Sequence, residues 1–347
     1  MKNKILLSLL TGVLFSGLAV AQTTKTIAEL AAYSEPDRER MLIEGAKKEG
    51  GLTLYTSQQL TDTNPIIEAF EKRYAIKVKV WRSGPDNVVP RIINEAKSKR
   101  FEFDVVETEG QALEALQREK LLQAVKTPYF GDLIPQAIRP HGEWTGTRLL
   151  MFSQAYNTSL IKKSELPKTW QDLADPKWKG KLGIEIKDDE WFYSLMQQMG
   201  EEKALKLFRD IGAANGFSIR KGHTLLTNLV ASGEVPLALT VYNSRVEQLK
   251  NKGAPIDWFI LQPAIAQLNG AGVSRQAQHP YSALLFFDFL LTEAQAILAK
   301  RDVVSVSKKF PSPLSNFPFQ ETDPSKLIDL GEKWTQIYRD IISAAPH

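Results

Sequence analysis

The run D-P-K-W-K-G-K-L-G-I-E-I-K-D-D-E-W, Asp175 to Trp191, decides how the rest of the chain is read. Asp175-Pro176 opens it with a turn, and Lys177, Lys179 and Lys181 make an exposed basic run around Trp178. Leu182, Ile184 and Ile186 then alternate with Gly183 and Glu185, the period of a β-strand. The strand stops at Lys187-Asp188-Asp189-Glu190, and the aromatic stripe Trp191-Phe192-Tyr193 follows in a helix. A buried strand that ends in charge just before a helix is the layout of a binding crevice in an open α/β sheet. Ligands there sit beyond the carboxyl ends of the strands. The stretch is therefore expected to floor one lobe of a ligand clamp, with the rest of the chain building the opposing lobe and the hinge.

Upstream, Leu52–Tyr55, Ile76–Trp81 and Phe103–Val106 read as strands, each followed by a polar loop and an amphipathic helix. One helix starts at Pro65 with Ile66, Phe70 and Tyr74 on one face, and another runs from Asn87 to Lys99. Strands alternating with helices predict a parallel sheet with right-handed crossovers. The loops Thr56-Ser57-Gln58, Arg82-Ser83 and Glu107-Thr108-Glu109 then gather along one edge. Downstream, Trp144–Tyr156 is a long extended stretch suited to crossing between lobes, and Gln262–Arg275 is the return crossing. Between them, Phe217–Lys221 and Val235–Tyr242 are strands of a second lobe, the latter ending at Asn243-Ser244-Arg245. Tyr281–Leu291 is an apolar helix, Thr292 with Gln295 forms a capping box for the next one, and Lys326–Ile342 is a striped tail helix. The fold class is α/β with two lobes, each a mainly parallel sheet flanked by helices, joined by crossing strands. Residues 22–145 plus 259–306 are expected to form lobe 1, and 146–258 plus 307–347 lobe 2 with the C-terminal helix.

The first residues carry an address. Lys2 and Lys4 precede the apolar run Ile5–Leu18, and Ala19-Val20-Ala21 before Gln22 is a small-x-small cleavage pattern. The expected product is a periplasmic protein, exported across the inner membrane and cleaved after Ala21. Loss of Lys2 and Lys4 lowers the formal charge from +4 to +2, which argues against a nucleic-acid binder. With no Cys there are no disulfides, thiolate metal sites or cysteine nucleophiles. A mature chain of about 325 residues, in a sequence 43% apolar, can build two cores without such staples.

Several stretches together carry a resemblance: Gly50–Ser57, Asp175–Lys181, Gly233-Glu234-Val235-Pro236-Leu237-Ala238-Leu239, and Leu284-Leu285-Phe286-Phe287-Asp288-Phe289-Leu290. With the leader, these resemble the extracellular solute-binding proteins of ABC importers. The branch is the two-lobed type 2 periplasmic binding fold that includes ferric-iron-binding proteins and relatives with organic ligands. The resemblance covers nearly the whole mature chain. It implies a substrate-binding component, monomeric and without a cofactor, that closes on a small-molecule or ion ligand and docks on a membrane permease. Ferric members of the family hold iron with a His and a Glu from the first lobe and two adjacent Tyr from the second. Here Gln58 and Gln59 stand where the His would be, Glu107 or Glu109 matches the Glu, and Tyr242 is a single tyrosine. An iron site on that pattern would rest on Glu107 and Tyr242.

The residues themselves leave the ligand open. A carboxylate site from Glu107, Glu109, Asp188 and Asp189 would suit a cation. A small organic ion would instead use the charges of Arg82, Lys221 and Arg245 and the bare N–H groups of Gly222-His223-Thr224 at a helix start. Thr56, Ser57 and Gln58 would supply neutral hydrogen bonds, Trp191 and Tyr242 flat walls, and Asp188 and Asp189 partners for an amino group. A secreted hydrolase is the remaining alternative, with Asp188 and Glu190 as paired acids. Against it stand the absence of G-x-S-x-G and H-E-x-x-H and a total of four histidines, His141, His223, His279 and His347.

Overall fold

A computed structural model describes residues 25–312, 314 and 318–343; the expected leader, Met1 to Ala21, and its cleavage site lie outside them. The strands follow one path from edge to edge: Lys77–Arg82, Gly51–Thr56, Val105–Glu109, Ala264–Ser274, Thr145–Asn157, Leu237–Tyr242, Leu182–Glu185 and Ser218–Arg220. The first three are parallel, with Leu54 between Val80 and Val105, as the alternation of strands and helices predicts. Leu182–Glu185 is likewise parallel to both of its neighbours. The two long strands run antiparallel to each other and to their other neighbours on this path.

Thr145–Asn157 connects the lobes. At about 3.3 Å per residue its thirteen residues reach further than one lobe needs. Its first half pairs with Ala264–Ser274, Leu149 opposite Leu268, and its second half pairs with Leu237–Tyr242 and Ile256–Phe259. Core membership changes between Met151 and Phe152. Met151 packs with Leu54, Phe70, Val106 and the helix Pro280–Leu291, whereas Phe152 packs with Leu182, Ile184, Trp191 and Phe208. Burial of each such side chain is worth about 1.5–3 kcal/mol, so each lobe holds together around its own core. The C-terminal helix Pro324–Ser343 joins the second core through Leu327, Trp334, Tyr338 and Ile341.

Several local expectations are corrected. The helix expected at Pro65 starts at Leu60, which shortens the first loop to Ser57–Gln59. The strand expected to stop at Val106 continues to Glu109, because Glu107 and Thr108 stay in register with Ala271 and Gly270. The basic run is as expected, with Lys177, Lys179 and Lys181 exposed, while Trp178 between them is buried, its indole N–H donating to the Asp172 carbonyl at 3.0 Å. The capping box at Thr292 does not form. The Thr292 hydroxyl donates back to Asp288, and Gln295 turns inward. Its amide nitrogen donates to the carbonyls of Thr147 and Leu290, and its oxygen accepts from Ser305 and Val306. Among the described residues no single helix is long and apolar enough to cross a membrane.

Candidate functional site

Four segments converge where the carboxyl ends of the two sets of strands face each other. They are the end of Val105–Glu109, the crossing strand Ala264–Ser274, the end of Leu182–Glu185 with the start of the helix Asp189–Met199, and the end of Leu237–Tyr242 beside the helix His223–Ser232. Gln267, on the crossing strand, links them. Its Oε1 accepts from the Tyr242 hydroxyl at 3.0 Å. Its Nε2 donates to Glu190 at 2.9 Å and to Glu109 at 3.4 Å, one carboxylate from each lobe.

On the second lobe Glu185, the last residue of its strand, is buried and accepts from the backbone N–H groups of Gly222, at 2.7 Å, and Lys187. Asp188 is 4% exposed. Its Oδ1 lies 2.8 Å from His223 Nε2, and its Oδ2 has no hydrogen-bond partner. The His223 ring stacks on Tyr242, centroids 4.2 Å apart and 28° between planes, with Phe152 behind at 5.1 Å from Tyr242. One donor atom each from Glu185, Asp188 and His223 lies within 4.8 Å of the others.

The electrostatics all point one way. Burial, then the charge of Asp86, pushes the Glu109 carboxyl up to about 7. Burial, then Glu109, pushes Glu190 up to about 8. Burial and Asp188 raise Glu185 as well. Burial works to lower the His223 imidazole, but the charge and hydrogen bond of Asp188, with Glu185 and Glu109, outweigh it and raise the pKa. Burial and four surrounding carboxylates hold the Tyr242 phenol well above its ordinary value. Enclosed carboxylates are costly unless paired or coordinated, so the crevice as it stands favours an incoming positive charge.

Of the residues singled out from sequence, Glu109, Asp188, Glu190, His223 and Tyr242 meet at this site. Thr56, Ser57 and Gln58 form a tight loop above the first sheet. The Thr56 hydroxyl accepts from the Gln58 N–H at 3.0 Å, and Ser57 bonds the Thr108 hydroxyl at 2.8 Å. The Arg82 guanidinium ties that loop from outside through the carbonyls of Gln58 and Ser57. Lys221 is exposed. Arg245 reaches across to Asp62 of the first lobe at 3.1 Å.

Three placements correct the sequence reading. Glu107 does not face the crevice: it lies within the sheet, ion-paired to buried Arg148 at 2.5 Å and accepting from Thr147. Asp189 points the other way, accepting from Thr335 of the C-terminal helix at 2.7 Å. Trp191 is no ligand wall but core, 1% exposed, with Trp170 and Phe208 rings 5.5 and 5.9 Å away. The reading missed Glu185 and Gln267. The polar interruption of apolar runs was the available signal for both, Glu185 within Leu182–Ile186 and Gln267 between Ala266 and Leu268.

The family model for bacterial extracellular solute-binding proteins matches residues 65–312. The chain belongs to that family. This solute-binding protein is the solute-capturing component of an ABC importer. It is 26% identical to Iron uptake protein A1 of Synechocystis, over 83% of this chain and 84% of that one. It is 23% identical to the Fe(3+)-binding periplasmic protein of Serratia marcescens, over 71% and 75%. Among solved structures, iron-bound HitA from Pseudomonas aeruginosa superposes with a TM-score of 0.73 at 25% identity, covering 84% of this chain and 99% of HitA. The family and these relatives are binding proteins.

Proposed function

We propose that this solute-binding protein captures ferric iron in the periplasm, as a monomer, and presents the closed, loaded form to an ABC permease in the inner membrane. The observation that carries the reading is the set of enclosed carboxylates, Glu109, Glu185, Asp188 and Glu190, around the imidazole of His223. A cation bound among them offsets the burial and the mutual repulsion that raise the pKa values of Glu109, Glu185 and Glu190. Ferric iron is a hard cation suited to oxygen donors, with imidazole as an accepted partner. The iron-binding relatives named above support the same cargo. An anionic solute would add negative charge where it is already in excess.

The test is titration of chelator-stripped protein with ferric nitrilotriacetate, with inorganic phosphate, spermidine and nitrilotriacetate alone run in parallel. Ferric iron is expected to bind one to one and to raise the melting temperature, with about 2.7 kcal/mol of stabilisation at a hundredfold excess over Kd. Stabilisation by phosphate or spermidine with none by ferric iron would overturn the assignment.

A further inference from the structure

We infer that the metal seat lies wholly in the second lobe, where Glu185, Asp188 and His223 supply two carboxylates and a ring nitrogen to the ion before the first lobe closes over it. The inference rests on the ferric reading and adds which groups hold the ion and in what order the lobes engage it. The three donor atoms lie within 4.8 Å of one another. Ligands about 2.1 Å from a metal stand at most about 4.2 Å apart, so rotamer-scale adjustment completes the set.

Convergence alone would be an acidic cluster. The second observation is Asp188 Oδ2, which belongs to a residue only 4% exposed and has no hydrogen-bond partner. A buried carboxylate oxygen left unpaired asks for an occupant. Glu185 is already oriented by the N–H groups of Gly222 and Lys187, the kind of outer support that ordered metal ligands receive. Its strand, the loop carrying Asp188 and the helix carrying His223 all belong to the second lobe. The first lobe contributes Glu109, which reaches the site through Gln267.

Tyr242 is a positioning residue in this arrangement. Its hydroxyl donates to Gln267 and its ring stacks on His223, which sets the plane of the imidazole. On loading, the hydrogen bond between His223 Nε2 and Asp188 Oδ1 gives way. The proton on the coordinating nitrogen passes to bulk water, and the nitrogen lone pair goes to the ion.

The test compares wild type, Asp188→Asn, His223→Gln and Tyr242→Phe, with Glu234→Gln as an exposed charge control on the same lobe. Iron affinity is read by chelator competition, folding by the melting temperature of the iron-free form. Loss of an outer partner of a metal ligand already costs about 10–100-fold, so Asp188→Asn and His223→Gln should each weaken iron binding by about 100-fold or more. Glu234→Gln should stay within about threefold of wild type, whereas Tyr242→Phe keeps the ring on His223, loses the bond to Gln267 and should weaken binding by about tenfold, less than either ligand substitution. Pulsed electron paramagnetic resonance of the loaded wild type, which needs no variant to fold, should show imidazole nitrogen coupling. Iron binding that survives both substitutions, an absent nitrogen coupling, or an intense tyrosinate absorption band would each overturn the seat while leaving the ferric reading intact. A wild type that binds no ferric iron would overturn that reading itself.

Discussion

Glu109 and Glu190 meet the same amide nitrogen of Gln267 from opposite lobes, so each feels the protonation state of the other. Their pKa values, pushed to about 7 and about 8, sit above that of a carboxyl in an unfolded chain. The folded protein therefore holds protons that the unfolded chain has released. The stabilisation from this is fully present below about pH 4.5 and is lost as pH rises through 7 to 8. Iron-free protein should unfold at lower denaturant concentration at pH 8.5 than at pH 6, and Glu190→Gln should flatten that slope. Parallel pH profiles for the two proteins in chemical denaturation would refute the point. Iron affinity should run the other way and rise over the same interval, since Glu109 and Glu190 add negative charge beside the ion as they lose those protons. At this scale the sequence was only partly legible. Asp188, Asp189 and Glu190 read alike as letters, yet successive helical residues turn by about 100°. One carboxylate thus meets His223, the next Thr335 and the third Gln267.

The elements themselves were easier to read, because period 2 and period 3.6 are local properties. Leu52 and Leu54 mark a strand, and Ile66, Phe70 and Tyr74 a helix face, whatever they later touch. What failed was the reading of polar side chains as caps or ends. Thr292 and Gln295 have capping-box spacing, but Gln295 is fully buried and closes four hydrogen bonds between Thr147 of the strand Thr145–Asn157, Leu290 of the preceding helix, and Ser305 and Val306. Gln295→Leu keeps the volume and strands those partners, each at a cost of about 1–3 kcal/mol where no water reaches. The variant should lose about 3 kcal/mol or more in urea denaturation with one iron still bound per chain. A loss under about 0.5 kcal/mol would mean that the knot is slack. Gly270 is a second crossing-strand constraint. A Cβ there would lie 2.5 Å from the Thr145 carbonyl oxygen and 2.9 Å from the Trp144 ring, so Gly270→Ala must force the two long strands apart.

At the scale of the whole molecule, the order of strands and helices announces two lobes, but not which surfaces the lobes present to each other. The stripe on the C-terminal helix names a buried face and not its partner, which turns out to be the helix carrying Asp189 and Phe192. The same holds for the contacts that bridge the lobes. Arg245 pairs with Asp62, and Lys187 with Asp86, so both ion pairs tie the second lobe to the first. Such pairs with partial solvent access are worth about 0–1 kcal/mol each. That is enough to bias closure and too little to fix it, as a clamp that must also release its cargo requires. If the ion is first held by the second lobe alone, these bridges act after capture. Arg245→Ala combined with Lys187→Ala should then speed iron release by up to about tenfold and leave the association rate within about twofold. Small-angle scattering of the loaded double variant should show a larger radius of gyration than loaded wild type. An association rate that falls in step with the faster release would instead mean that both lobes must be in place before the ion is bound at all.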